Sequence, residues 1–465
     1  MSGTRAGALA RAEKHFDSGA FLDDLRKRVA VPTESQEPAQ APQLRRYLDD
    51  EIAPWLAHHG YASEVFDNPD PAGGPFLVAE RHEGEGLPTL LTYGHGDVVR
   101  GIPEQWRDGL DPWTITVEGE RWYGRGTADN KGQHSIVMAA LAQVLEERGR
   151  HGFNSKLLIE TSEEIGSPGL DAFCGAHKDR LKADVMIASD GPRMKPSHAD
   201  VKLGNRGGIA FDLKIRLREG SRHSGHWGGV LEDPGVILAH ALASIVDQHG
   251  RIQIPEWLPK EIPPAVREAL EGLEVDPEDP TLILKDDWGE PGLTLAEKMY
   301  GWTSFIILAF LTGRPENPVN GVQPDAQARC QIRFTVDADH RNFLPALRRH
   351  LDARGFEQVE IVPVSTNFFP AWRTDPANPW VDWTMDSVER TLGEQPNLVP
   401  NSSGSLPSEI FARHLDIPVI WIPHSYGGCC QHGPNEHVLA PLTREGLLLM
   451  TGLFYDLGEG EGVPT

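Results

Sequence analysis

Residues 88–94, PTLLTYG, run directly into His95-Gly96-Asp97, and this junction of a short apolar run with a His and an Asp sets the reading of the whole chain. An uninterrupted apolar run of that length has the pattern of a strand buried on both faces, as in a parallel sheet covered by helices. Two further runs share it, 156–161 (KLLIET) and 184–189 (DVMIAS), and another, 417–422 (IPVIWI), lies towards the C-terminus. Residues 130–148 (NKGQHSIVMAALAQVLEER) carry apolar residues at helical spacing. Strands alternating with helical segments imply an α/β sheet.

From residue 206 the pattern changes. Residues 208–218 (GIAFDLKIRLR) alternate apolar with polar, an amphipathic helix opens at Asp233-Pro234 and runs to 249, and 327–337 (QARCQIRFTVD) alternate again. A helix over 340–354 and a strand over 359–364 (VEIVPV) follow, so the segment reads as strand, helix, strand, helix, strand, a small α+β sandwich. A Pro- and acid-rich stretch, 254–292, is too long for a tight connection and predicts an excursion with a helix of its own. After Trp372 the α/β signature returns with a helix over 380–391. The second domain, 206–373, is therefore inserted into the first, which comprises 1–205 and 374–465.

Composition narrows the function. The chain has 465 residues, 39% hydrophobic and 24% charged, which suits a soluble two-domain protein. Its formal net charge of −24 argues against binding nucleic acid, because a polyanion gains affinity only from clustered Lys and Arg. Residues 1–16 lack the apolar core of a signal peptide and no later stretch is long enough to span a bilayer, so the expected compartment is the cytoplasm. Four cysteines make no disulfide framework, and the adjacent Cys429 and Cys430 read as reduced, small buried filler.

Four candidate metal ligands, one of them from the pair Glu163–Glu164, follow strand-like runs, at the sheet edge where open α/β sheets collect ligands. His95 follows PTLLTYG, Glu163 and Glu164 follow KLLIETS, Asp190 follows DVMIAS, and His432 lies in the loop after IPVIWIPHSYGG. Asp129 sits where a Gly-rich loop (GRGTADNKG) enters the first helix; standing alone, it is read equally well as a helix cap. Asp97 is placed to orient a metal-bound His95 through the other ring nitrogen. Glu163 and Glu164 repel each other unless a cation or proton compensates, so one suits metal binding and the other proton transfer; a solvated acidic turn is the alternative. Two His with carboxylates suit zinc, with cobalt or manganese as substitutes, and two ions sharing one carboxylate would hold and acidify a bridging water. No GxSxG nucleophile elbow and no HExxH helix is present.

In the order of these motifs the chain resembles the dizinc metallopeptidases that include carnosinase, carboxypeptidase G, acetylornithine deacetylase and succinyl-diaminopimelate desuccinylase, over nearly its whole length. The resemblance implies a dizinc exopeptidase-like α/β catalytic domain with a parallel-rich sheet, interrupted by a ferredoxin-like lid that also dimerises. It implies two divalent metal ions, with His95 and Asp190 on one, Glu164 and His432 on the other, Asp129 bridging both, Asp97 as orienter and Glu163 as general base. RHSGHWGG resembles the HSG-x-x-GG segment of the dipeptidase branch, which assigns His223 to the partner subunit's oxyanion and implies a homodimer; a plain surface-loop His is the alternative. Arg333, the loop around Asn320, and Ser403, Gly404 and Ser405 in SGSLP look like substrate contacts. Two departures weaken the transfer of substrate: Asn130 stands where the branch has a second Asp, and Ser403-Gly404 replaces Gly-Gly.

The expected activity is hydrolysis of a dipeptide or small peptide. An N-acyl or N-carbamoyl amino-acid amidohydrolase is the alternative within the enzyme class, and an inactive peptide-binding homologue the alternative outside it. His424 and His437 lie near enough to His432 to compete for its role, and the order HGPNE favours His432.

Overall fold

The computed structural model describes residues 3–275, 281–364 and 369–464. In chain order its first strands are β1 (Ala62–Phe66), β2 (Phe76–Arg81), β3 (Thr89–His95), β4 (Asn154–Glu160), β5 (Val185–Ala188) and β6 (Asp200–Lys202). A second sheet then forms from β7 (Gly207–Arg216), β8 (Ser304–Leu311), β9 (Asp325–Phe334) and β10 (Glu360–Pro363), and the chain returns to the first with β11 (Asn397–Val399) and β12 (Val419–Trp421). The large sheet is eight-stranded in the order β1-β2-β4-β3-β5-β12-β6-β11. Its centre, β4-β3-β5-β12, is parallel, and β1 and β2 add antiparallel strands at one side.

The continuous apolar runs follow from burial on both faces. Because side chains alternate along a strand, Leu77 and Ala79 enter one core while Phe76 and Val78 enter the other. The same division places Ile187 and Ile420 in the first core and Met186 and Trp421 in the second. The helix α1 (Lys131–Arg148) lies over the first face; its residues from Lys131 to Val144 are all buried, between the sheet and the C-terminal helix Ala440–Glu459. That explains why its middle, 136–142 (IVMAALA), is apolar on every side.

The inserted sheet runs β8-β9-β7-β10, antiparallel throughout. Its covered face packs Phe211, Leu213, Cys330 and Ile332 against Leu238 and Leu242 of the helix Pro234–Ile245 and against Phe343 and Leu347 of the helix Phe343–Asp352. The sandwich anticipated from the sequence has three strands; the structure adds β8 at an edge. Its run, SFIILAFL, shows no alternation because its outer face is apolar too, leaving Ile306, Leu308, Phe310 and Leu311 exposed. The helix expected over 233–249 stops at Ile245, where Val246 is extended and bridges to Ile252.

The excursion forms the helix Pro264–Leu270, which with the helix Leu295–Tyr300 just beyond it packs against Val399 of β11, so it leans back on the first domain. Part of that excursion, 276–280, lies outside the described residues. The two crossings between the sheets pair with each other, Gly204 opposite Arg373 and Asn205 opposite Trp372. The loop beginning at Ser402 joins them: Arg206 N donates to Ser402 O at 3.1 Å and Ser402 N to Gly204 O at 2.6 Å. Among the described residues no helix is long and apolar enough to cross a membrane.

Candidate metal centre

The candidate residues converge at the C-terminal ends of the parallel strands. His95 ends β3, Glu163 and Glu164 open the turn Glu163–Ile165 after β4, and Asp190 follows β5. His432 comes from the loop after β12 and Asp129 from the loop before α1.

The loop of Asp129 folds back on the helix it feeds. Gly132 N donates to Gly126 O at 3.0 Å, and a Cβ on Gly132 would stand 1.9 Å from Thr127 O, so this close approach requires glycine. Asn130 is the N-cap residue of α1; its side-chain Nδ2 donates to Ser189 O at 2.8 Å. The cap reading of Asp129 is thereby displaced, and its carboxylate faces the cleft. Its Oδ1 stands 2.9 Å from His95 Nε2 and its Oδ2 3.1 Å from His432 Nε2.

Two groups of metal-ligand type result. His95, Asp129 and Asp190 each offer a donor atom within 4.8 Å of the others, and so do Asp129, Glu164 and His432. Asp129 is common to both, one oxygen towards each. Asp190 Oδ2 is 3.6 Å and Glu163 Oε2 4.0 Å from His95 Nε2, while Glu164 Oε2 is 3.1 Å from His432 Nε2. Asp97 lies behind His95 in a different manner from that expected. His95 Nδ1 is 3.1 Å from the Asp97 backbone carbonyl oxygen, and the Asp97 carboxylate, 3.4 Å away, accepts instead from the amides of Glu163 and Glu164, each at 3.1 Å. One residue thus orients the imidazole and holds the turn carrying both glutamates.

Four carboxylates in so small a buried space disturb one another's protonation. Burial, reinforced by Asp129, pushes the Glu164 carboxyl up to about 7 and that of Asp190 to about 6. Burial also drives Glu163 well above the usual carboxylate range, with His95 opposing and Glu164, Asp190 and Asp129 adding to it. Asp129 is held well below that range because His432 and His95 outweigh its burial. His432 rises to about 11 beside Asp129 and Glu164.

The donor set fits divalent cations. Among the described residues His95 Nε2, Asp129 Oδ1 and Glu164 Oε1 are buried without a hydrogen-bond partner, although the first two are close together. Buried polar atoms left so are costly unless something binds them, and His95 Nε2 and Asp129 Oδ1 face each other within the group that a cation would join with Asp190.

A cleft of about 550 Å³ opens over these groups, lined also by Arg333, Phe369, Ser403, Gly404, Ser405 and Gln431. Arg333 donates to Ser405 Oγ at 2.7 Å. His223 and Asn320 are not brought to this cleft: both are exposed on the inserted domain, where Ser224 N donates to Asn320 O at 3.0 Å. Of the competing histidines, His437 is engaged with the Tyr426 hydroxyl and the Asn435 carbonyl, and His424 is buried beside Gly446 of the C-terminal helix. Cys429 is buried, but Cys430 is exposed and so is not the filler expected of it, because the backbone turns outward there before Gln431 and His432.

Several supporting residues escaped the sequence reading. Arg206 reaches Ser403 O in the cleft loop, Glu160 accepts from Tyr93 and from Ser167 beyond the Glu163–Ile165 turn, and Arg125 and Glu436 form a buried pair below Asp129. The only available signals were the glutamate in HGPNEH and the arginine in GRGTADNKG, and neither indicates a partner.

Comparison with known proteins agrees with this architecture. The chain is 29% identical over 336 residues, 69% of its length and 70% of the other's, to cysteinylglycine-S-conjugate dipeptidase of Corynebacterium striatum. It is 31% identical over 272 residues to the β-Ala-His dipeptidase of Mus musculus, spanning 55% of this chain and 54% of that protein. The crystal structure of human carnosine dipeptidase 1 shares the fold with a TM-score of 0.79 at 21% identity, covering 97% of this chain and 99% of that one. Residues 91–455, which carry His95, Asp129, Glu163, Glu164, Asp190 and His432, match the model of Peptidase family M20/M25/M40, and the chain belongs to that family of metallopeptidases.

Proposed function

We propose that the protein is a dipeptidase or small-peptide exopeptidase that works with two divalent metal ions, with zinc preferred and cobalt or manganese able to replace it. The observation that carries this reading is the single carboxylate of Asp129 shared between two ligand groups. His95 and Asp190 would complete one metal site, and Glu164 and His432 the other. When bound, such a pair of ions supplies a water of lowered pKa and polarises the scissile carbonyl. The dipeptidase names of the two relatives support the substrate class.

Glu163 lines the cleft without belonging to either ligand group. Its carboxylate takes the proton from the attacking water and returns it to the departing nitrogen, a role that suits a carboxyl whose burial makes it a stronger base than a free glutamate. Asp97 keeps the His95 ring and the Glu163–Glu164 turn in place. Arg333 and the Ser403–Gly404–Ser405 backbone would receive the substrate's terminal carboxylate.

The functional unit is a homodimer on this reading. The exposed apolar edge β8 is the kind of strand that a second copy covers, and the outward position of His223 and Asn320 suits a contribution to the partner's cleft. Residues 1–205 with 374–465 act as the catalytic unit and 206–373 as the lid, a division supported by their separate cores. The unpaired cysteines favour the cytoplasm.

A screen of metal-reconstituted protein against dipeptides, N-acyl amino acids and N-carbamoyl amino acids tests the substrate class; turnover of the last two alone would replace the dipeptidase reading by an amidohydrolase. In the same assay Glu163→Ala should lower kcat by about 10²–10⁴-fold with metal content unchanged. Full metal-dependent activity in that variant would remove Glu163 as the base.

A further inference from the structure

Glu436, four residues beyond His432, grips the loop that carries Asp129. One oxygen of its carboxylate accepts from three backbone amides, Gly126 at 3.1 Å, Ala128 at 2.9 Å and Asp129 itself at 3.1 Å. The other oxygen accepts from Arg125 Nη1 at 2.6 Å. Arg125 then turns back to its partner's loop, donating to Gly433 O at 2.9 Å, and to Arg100 O at 3.0 Å. The Glu436 backbone carbonyl closes the arrangement by accepting from Gly124 N at 2.9 Å. Both side chains of the ion pair are 1% exposed.

Two loops some 300 residues apart in sequence are thereby fastened into one piece. A buried carboxylate that lost its partners would be costly, so the pair resists separation. The fastening does not act evenly on the two ligand groups. In the group of Asp129, Glu164 and His432, two of the three ligands sit on the fastened loops; in the group of His95, Asp129 and Asp190, only one does. His95 and Asp190 come instead from strand ends of the central sheet.

We infer that Glu436 is a positioning residue that holds Asp129 and His432 at the separation required by the Asp129–Glu164–His432 subsite, so that loosening it empties this subsite before the other. The inference rests on the two-metal reading above.

The test is a cobalt titration of the metal-free full-length protein, followed by calorimetry and by the visible absorption of the bound ion, with thermal melting as the check on folding. Wild type should take up two ions. Glu436→Gln should take up the first with near-normal affinity and the second about 10–100-fold more weakly, the range found when carboxylates supporting metal ligands are removed. Arg125→Lys is the gentler variant should the first not fold; it keeps the charge, loses the bond to Gly433 O, and should show the same order of loss to a smaller degree. Two ions with wild-type affinities in the variants would overturn the inference alone, as would equal weakening of both subsites. A wild-type stoichiometry of one would overturn the two-metal reading and the inference with it.

Discussion

Protons and a cation compete for the same oxygens in this cleft. Glu164 and Asp190, pushed to about 7 and about 6, still hold protons where free carboxyls would have lost them, and His432 stays protonated up to about 11. Each proton displaced on binding makes the apparent affinity rise roughly tenfold per pH unit while the site remains below the pKa of that group. Metal affinity should therefore climb with pH through 6 and 7 by more than the single-proton slope, and a chelator should strip the protein more readily on the acid side. Cobalt titrations at a series of pH values would show this, and a flat profile would mean the ligands are not these groups. His95, Glu164 and Asp190 were legible because each follows a recognisable strand, whereas His432 leaned on the family resemblance. Asp129 was legible only in part, since the feature that separates a ligand from a helix cap is the direction of its carboxylate. Glu436 and Arg125 were not legible, because their partners are backbone groups of a remote loop and backbone groups leave no trace in side-chain pattern.

Among the elements, β8 is the one whose character was hidden in the sequence. The other strands of the inserted sheet alternate apolar and polar, as one-sided burial requires, whereas β8 is apolar on both sides and lies at an edge. An exposed apolar edge strand is an open template for another strand. Placing a charge there, as in Leu308→Glu or Phe310→Lys, should, if the proposed dimer forms through β8, yield single chains by light scattering with metal uptake unchanged, and should lower kcat if His223 serves the neighbouring cleft. Dimers that survive both changes would place the interface elsewhere. The loop entering α1 offers a contrasting case, readable as Gly-rich but not in its reason. Gly132→Ala brings a methyl against Thr127 O and should cost about 1–3 kcal/mol of stability in thermal melting, with displacement of Asp129 and weaker metal binding.

The charge of the whole molecule and the charge of one rim of its cleft are opposed. The chain carries a formal −24, yet Arg333 and Arg206 stand together beside the cleft and, among the described residues, neither forms an ion pair. Arg333→Met should therefore raise KM for dipeptides with a free C-terminal carboxylate and leave KM for the corresponding amides nearly unchanged; equal effects on both would assign Arg333 to the loop rather than to the substrate. The crossing between the sheets adds something that neither sheet has alone. Because Ser402 is bonded to Gly204 and Arg206 at the stem of the inserted domain, the cleft loop and that stem behave as latch and hinge fixed to one plate. A ligand that quiets the loop must quiet the stem by the same coupling free energy, and stiffening the stem must tighten the ligand in return. The amides of Arg206, Ser402 and Thr374, the last donating to Leu203 O at 2.8 Å, should then slow their exchange with solvent together when a product amino acid binds.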